Sequence, residues 1–228
     1  QKEAIIDLDG PCLIVAGAGS GKTRVLTTRV AHIINQNKAW PNQILCVTFT
    51  NKAAKEMQIR ISKFLDKKVS SLPWLGTFHS VSAKLLRKHA SAVGLNSHFT
   101  IIDQDDQMRL IKNIAKAENI DIKKLSPNII LSIINQWKNK GWLPKDVVSK
   151  GNITLEKAVL KVYKFYQERL KILNSCDFGD LILHCVTMFE KNPDILELYL
   201  NNFKYVLVDE YQDSNHIQSK WLNLLTKK

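Results

Sequence analysis

Ala16-Gly17-Ala18-Gly19-Ser20-Gly21-Lys22-Thr23 is the stretch on which the reading of this chain turns. It follows a short apolar run, Cys12 to Ala16. It opens a stretch in which Val25, Leu26, Val30, Ile33 and Ile34 fall on one face of a helix. A glycine-rich turn between a strand and a helix is the setting of a phosphate-binding P-loop, here with Ala16 in place of the first glycine of GxxxxGK[ST]. Glycines let backbone N–H groups converge on phosphate oxygens at the helix N-terminus. Lys22 then supplies a point charge to the β- and γ-phosphates of a nucleotide, and the Thr23 hydroxyl is a magnesium ligand.

Two further apolar runs, Ile44 to Phe49 and Tyr205 to Val208, are too short for helices and are followed by polar turns, as buried parallel strands are. After the first of them, Ala53, Met57, Ile61 and Leu65 predict a helix over Lys52 to Leu65. Strand, helix, strand, helix is the grammar of a parallel α/β sheet. The last run ends in adjacent carboxylates, Asp209 and Glu210. Two neighbouring acids can take two roles when a cation saturates one of them. Asp209 is expected to hold magnesium through water, and Glu210 to orient and deprotonate an attacking water.

Between about Thr77 and Phe203 the apolar period is near 3.6 almost throughout, as in Leu155, Val159, Val162, Tyr166, Leu170 and Leu173. This predicts a helical domain over 77–203 inserted into an α/β domain made of 1–76 and 204–228. The composition, 45% hydrophobic and 24% charged, excludes disorder, collagen and small disulfide scaffolds. A formal charge of +12 favours a large polyanion as partner. Residues 123–171 alone hold eleven basic against three acidic side chains, which is either a solvated helix face or a nucleic-acid surface. Cys12, Cys46, Cys176 and Cys185 stand singly in or near apolar runs, as buried free thiols of a reducing compartment, with no zinc spacing. Acids in the first residues and the lack of an apolar run of membrane-spanning length predict a soluble, cytoplasmic protein with no membrane partner. The missing initiator Met and the stop at Lys228 just after a helical pattern predict a piece of a longer protein.

These stretches share one order with a known family. Ala16 to Thr23 followed by Arg24, then Val47-Thr48-Phe49-Thr50-Asn51-Lys52-Ala53-Ala54, Gly76-Thr77-Phe78-His79, Asp177-Phe178 with Leu181, and Val208-Asp209-Glu210-Tyr211-Gln212-Asp213-Ser214-Asn215 resemble the UvrD/Rep/PcrA helicases of superfamily 1 in order and approximate spacing. The resemblance spans the chain. It implies a partial RecA-like parallel-sheet P-loop NTPase domain with an inserted all-α domain. It also implies ATP and Mg2+ as cofactors, 3′ to 5′ translocation on single-stranded DNA with duplex unwinding, and single-strand/duplex junctions and repair or replication proteins as partners.

By the same resemblance Gln1 reads adenine, Arg24 packs on the nucleotide base and Gln212 links the nucleotide site to DNA. Phe49, Thr50, Asn51, Thr77 and His79 contact single-stranded DNA. Without the family, Phe49 reads equally as core and His79 as a capping residue; Trp74, Trp137, Trp142 and Trp221 read as packing anchors. A third motif and a second motor domain with arginines facing the ATP site are expected beyond Lys228. Two other readings stand beside the helicase: a DNA-binding P-loop module with little or no turnover, and a P-loop ATPase or phosphotransferase unrelated to DNA.

Phosphate neutralisation releases counterions, so single-stranded DNA should bind this chain with a log-log salt slope of about −0.7 per phosphate contact. Phe49→Ala should cost about 1 to 3 kcal/mol if a base stacks there. Anisotropy titrations across a salt series check both; equal affinity at low and high salt would remove the electrostatic surface.

Overall fold

A computed structural model describes residues 1–17, 19–65, 72–121, 125–148 and 153–226. Ala18, inside the expected P-loop, lies outside them. In chain order the elements are α1 (Lys2–Ile6), α2 (Lys22–Asn35), β1 (Ile44–Thr48), α3 (Asn51–Phe64), β2 (Leu75–Thr77), α4 (Phe78–Lys88), β3 (Thr100–Ile101) and α5 (Gln104–Ala117). There follow α6 (Pro127–Asn139), α7 (Ile153–Ile172), β4 (Ser175–Cys176), α8 (Phe178–Lys191), α9 (Pro193–Asn202), β5 (Tyr205–Val208) and α10 (His216–Thr226). They pack as two units, one of Gln1–Val81, Asp194–Ser214 and Leu225–Lys228, the other of Ser82–Pro193 and Asn215–Leu224.

In the first unit β1 lies between β2 and β5, and all three strands are parallel. Every residue of β1 is buried, as expected for a parallel strand covered on both faces, which is why Ile44 to Thr48 reads as an unbroken run. The connection from β1 to β2 runs through α3, the crossover that parallel neighbours require. Val30 and Ile33 of α2, Met57 and Ile61 of α3, Ile44 and Cys46 of β1 and Leu207 of β5 close one core. The buried Arg29 guanidinium donates to the carbonyls of Ala4 and Asp7 and so ties α1 to α2. Trp74 packs edge-on against Tyr199 and Phe203, with ring centroids 5.9 and 5.5 Å away. That contact draws residues 194–203, helical by their periodicity, into the α/β unit.

The strand expected over Cys12 to Ala16 does not form. Those residues are irregular, and Leu13 and Val15 are 77% and 85% exposed. A strand exists only by pairing, and among the described residues the sheet ends at β2 on one side and β5 on the other. With no ladder to join, this run keeps its apolar composition without its strand. For the same reason Cys12, expected to be buried, is exposed, whereas Cys46, Cys176 and Cys185 are buried.

The second unit is helical apart from β3 and β4, a two-residue parallel pair that helical periodicity cannot reveal. Its core gathers Ile111 of α5, Ile134 and Trp137 of α6, and Val159, Val162 and Tyr166 of α7. Within it the Lys138 ammonium, fully buried, lies 2.6 Å from Asp177 and 2.7 Å from Asp180. The Tyr166 hydroxyl donates to Asp177 (2.9 Å) and the Gln167 amide to Asp180 (2.9 Å). Asp177 and Asp180 also form the capping box that starts α8. Burial works against both acids' charges. For Asp180 it is outweighed by Lys138, His184 and the hydrogen bonds from Lys138 and Gln167, which hold its carboxyl at about 2. Asp177 is pushed up by burial and by the Asp180 charge beside it. Among the described residues no helix is long and apolar enough to cross a membrane.

Removing the cation leaves two buried carboxylates facing each other. Lys138→Met should therefore destabilise the chain by about 3 to 5 kcal/mol, the range for breaking a buried ion pair from one side. Urea denaturation checks this; a loss below about 1 kcal/mol would mean the acids find other partners.

Candidate functional site

The P-loop and the acid-ended strand meet in the first unit. α2 begins directly at Lys22, capped by Gly21 at φ +89°, a backbone conformation that glycine adopts without strain. Gly21 has no side chain to cap the helix, which leaves the first N–H groups of a fourteen-residue helix for an anion. The loop before it is closed by Ser20, whose hydroxyl donates to the Gly17 carbonyl at 2.6 Å. Lys22 folds back over the loop and donates to the carbonyls of Ala16 (2.8 Å) and Gly17 (3.1 Å). Gln1 donates to the Ser20 carbonyl at 2.8 Å, which brings the N-terminal residue to the loop. Arg24, one residue past Thr23, is exposed.

The partner acid is delivered by strand register. Val47 of β1 stands opposite Val208 of β5, and the ladder runs one residue further, with the Asp209 N–H donating to the Val47 carbonyl at 2.9 Å. The buried Asp209 carboxylate then accepts from the Thr23 hydroxyl at 3.5 Å. Burial and the neighbouring Glu210 charge raise its pKa, while hydrogen bonds from Thr23 and Thr48 act the other way. Thr48 is a member of this site that motif reading passes over. The register was the available signal, since the residue after Val47 lies beside the residue after Val208. A hydroxyl and a carboxylate are hard oxygen donors, and Mg2+ keeps most of its shell for water and phosphate oxygens. Thr23 and Asp209 therefore fit a nucleotide-bound magnesium. Among the described residues no cluster of three His, Cys, Asp or Glu offers a protein-only metal cage.

Glu210 follows in a left-handed conformation, φ +51°, which costs a non-glycine residue energy and concentrates at functional sites. The Gln212 amide donates to its carboxylate, so the two side chains form one unit.

The expected DNA contacts lie at the C-terminal ends of the neighbouring strands β1 and β2, where Thr48 stands opposite Thr77. Open parallel sheets bind ligands at that edge. Phe49 is half-buried, its ring 5.4 Å from that of Phe78 and inclined at 61°. It thereby joins the Phe49–Asn51 segment to the Thr77–His79 segment. Two of the five side chains have structural duties: Thr50 caps α3 by accepting from Ala53 N–H, and Thr77 exchanges hydrogen bonds with Ser80 at the start of α4. Gly76 is required there, because a Cβ would sit 2.4 Å from the Ser80 hydroxyl oxygen. Asn51 is exposed. Burial lowers the pKa of His79 and keeps it neutral at pH 7.

A ligand that binds only the folded chain stabilises it by mass action. Magnesium nucleotide at a hundredfold excess over its dissociation constant should add about 2.7 kcal/mol, and Lys22→Ala should remove most of that gain. Thermal melts with and without nucleotide check it; an unshifted melt of the unmutated chain would contradict the assignment.

The UvrD/REP helicase N-terminal domain family model matches residues 1–228. A probable DNA helicase II homolog of Rickettsia felis is 46% identical over 228 residues, covering 99% of this chain and 34% of that protein. DNA helicase II of Rickettsia typhi is 47% identical over 229 residues, with 99% and 34% covered. The ATP-dependent DNA helicase PcrA of Staphylococcus epidermidis is 43% identical over 228 residues, covering 100% of this chain and 31% of that protein. The chain thus spans about a third of the length of the curated relatives it matches. On the match along its whole length, the chain belongs to the UvrD/REP helicase N-terminal domain family.

Proposed function

We propose that this chain is the ATP-binding N-terminal part of a longer DNA helicase that couples ATP hydrolysis to 3′ to 5′ movement on single-stranded DNA and to duplex unwinding. The observation that carries the proposal is the Thr23 hydroxyl facing the Asp209 carboxylate at the end of the helix that Lys22 begins. Polarity rests on the family. A cytoplasmic location, and repair or replication proteins as partners, belong to the same proposal.

Each residue then has a task. The N–H groups of the P-loop and the first turn of α2 take up the phosphates, and Lys22 exchanges its carbonyl partners for the β- and γ-phosphate oxygens. Thr23 and Asp209 hold magnesium, which when bound neutralises charge on the phosphates. Glu210, its carboxylate held by Gln212, accepts the proton of the attacking water. Gln1 and Arg24 address the base, and Phe49, Asn51 and His79 address DNA, with Thr50 and Thr77 shaping the loops that carry them. Residues 1–76 and 204–228 form the partial RecA-like domain and 77–203 the inserted helical one. The unpaired edge of β5 and the exposed Leu13 and Val15 support a further strand, supplied by a longer chain, completing the sheet.

Hydrolysis in such a motor needs positive charge from a second domain opposite Glu210, and one such arginine is worth about 10³ to 10⁵ in rate. The 228-residue chain should bind ATP without strong DNA-stimulated turnover, whereas a chain of the relatives' full length should show it. In the longer chain, Glu210→Gln should abolish phosphate release and leave ATP bound, because an amide cannot accept the proton. Comparable stimulated turnover by the 228-residue chain would overturn the two-domain reading.

A further inference from the structure

The helical unit carries a pocket that this reading leaves unused. It is bounded by the segment 140–146 that follows α6, by the second half of α8 and by the first turns of α10, and has a volume of about 350 Å³. Leu183 and Val186, both buried, and Trp142 and Leu143, both partly buried, give it an apolar side. Lys140, Lys145, Lys191 and Lys220 line it as well, against two carboxylates, Asp146 and Glu190.

Both carboxylates are engaged. Asp146 accepts from the Leu143 N–H at 3.0 Å, and Glu190 pairs with Lys220 at 2.7 Å. Lys140 rests over the Trp142 ring, 4.9 Å from its centroid. That leaves Lys145 and Lys191, both exposed and neither paired with any described residue. Two like charges lining one hollow repel each other, and an anion between them removes that cost.

We infer that this pocket receives one nucleotide of a single-stranded nucleic acid, with its phosphate at Lys145 and Lys191 and its sugar and base against Trp142, Leu183 and Val186. The volume stands at the small end of ligand sites, enough for one nucleotide unit and too small for a duplex. An apolar, partly aromatic side suits any base, since every base has a π-face, and lysines suit any phosphate. The assignment also divides the basic stretch 123–171. Lys138 is consumed by Asp177 and Asp180, Lys161 pairs with Glu118 at 2.8 Å, and Lys140 and Lys145 serve the pocket. The inference rests on the reading of this chain as a single-stranded-DNA binder and adds a contact separate in sequence from Phe49–Asn51 and Thr77–His79.

The test is anisotropy of a fluorescein-labelled oligothymidylate of about twelve nucleotides across a salt series. It uses the unmutated chain, the Lys145→Gln/Lys191→Gln and Trp142→Ala variants, and Lys112→Gln, an exposed lysine of α5 outside the pocket. Losing two phosphate contacts should lower the salt slope by about 1.4, and Trp142→Ala should weaken binding about tenfold. Lys112→Gln should change neither. All variants should keep the nucleotide-induced shift in melting, which shows that they fold. Millimolar thymidine monophosphate should not displace the oligonucleotide. An unchanged slope in the double variant with binding intact overturns the pocket alone, as does an equal drop in Lys112→Gln. Displacement by the mononucleotide would make it a free-nucleotide site and overturn the strand assignment. Failure of the unmutated chain to bind the oligonucleotide overturns the pocket and the DNA-binding reading together.

Discussion

Asp209 reaches Thr23 because β5 runs parallel to β1 and continues one residue beyond it. The Asp209 N–H takes the Val47 carbonyl, and the side chain turns toward the start of α2. The rest of the site hangs on that pairing. A slip of one residue would put Val208 or Glu210 where the acid belongs and carry Asp209 to the other face. The same strand β1 sets the opposite register with β2, so that Thr48 lies between Asp209 on one side and Thr77 on the other. One buried strand thereby lines up the residues for a nucleotide and those for a DNA strand along a single sheet edge.

The sequence made much of this legible, and the reason is periodicity. Helix α2 starts at Lys22 because the apolar spacing begins just past Gly21, and β5 covers Tyr205 to Val208 because four apolar residues end abruptly in acids. What periodicity could not supply was pairing. Cys12 to Ala16 has the composition of a strand and no neighbour to bond, a fact about other parts of the chain. Thr48 escaped notice because only a register relates it to Asp209. The capping duties of Thr50 and Thr77 were hidden in residues that motif reading assigned to DNA.

Charge was the coarser guide. A count of lysines and arginines cannot tell Lys138, sealed between two aspartates, from Lys145, exposed beside an apolar hollow. Burial reverses what a basic residue means. In the first case it is a structural pin that fixes α6 against α8 and has spent its charge; in the second the charge is still available to a ligand. The buried pin also explains why Asp177 recurs in the motif order beside Phe178: it opens α8 and receives both Lys138 and Tyr166.

The central claim is that Thr23 and Asp209 act through one shared cation. A double-mutant cycle on Mn2+-nucleotide affinity, read by electron paramagnetic resonance with the unmutated chain, Thr23→Val, Asp209→Asn and the double variant, addresses it directly. Shared ligation predicts that the double variant loses less than the sum of the single losses, with a coupling of at least about 1 kcal/mol, whereas independent sites add within about 0.3 to 0.5 kcal/mol. Additive losses would mean that the 3.5 Å approach of the two side chains holds no common metal.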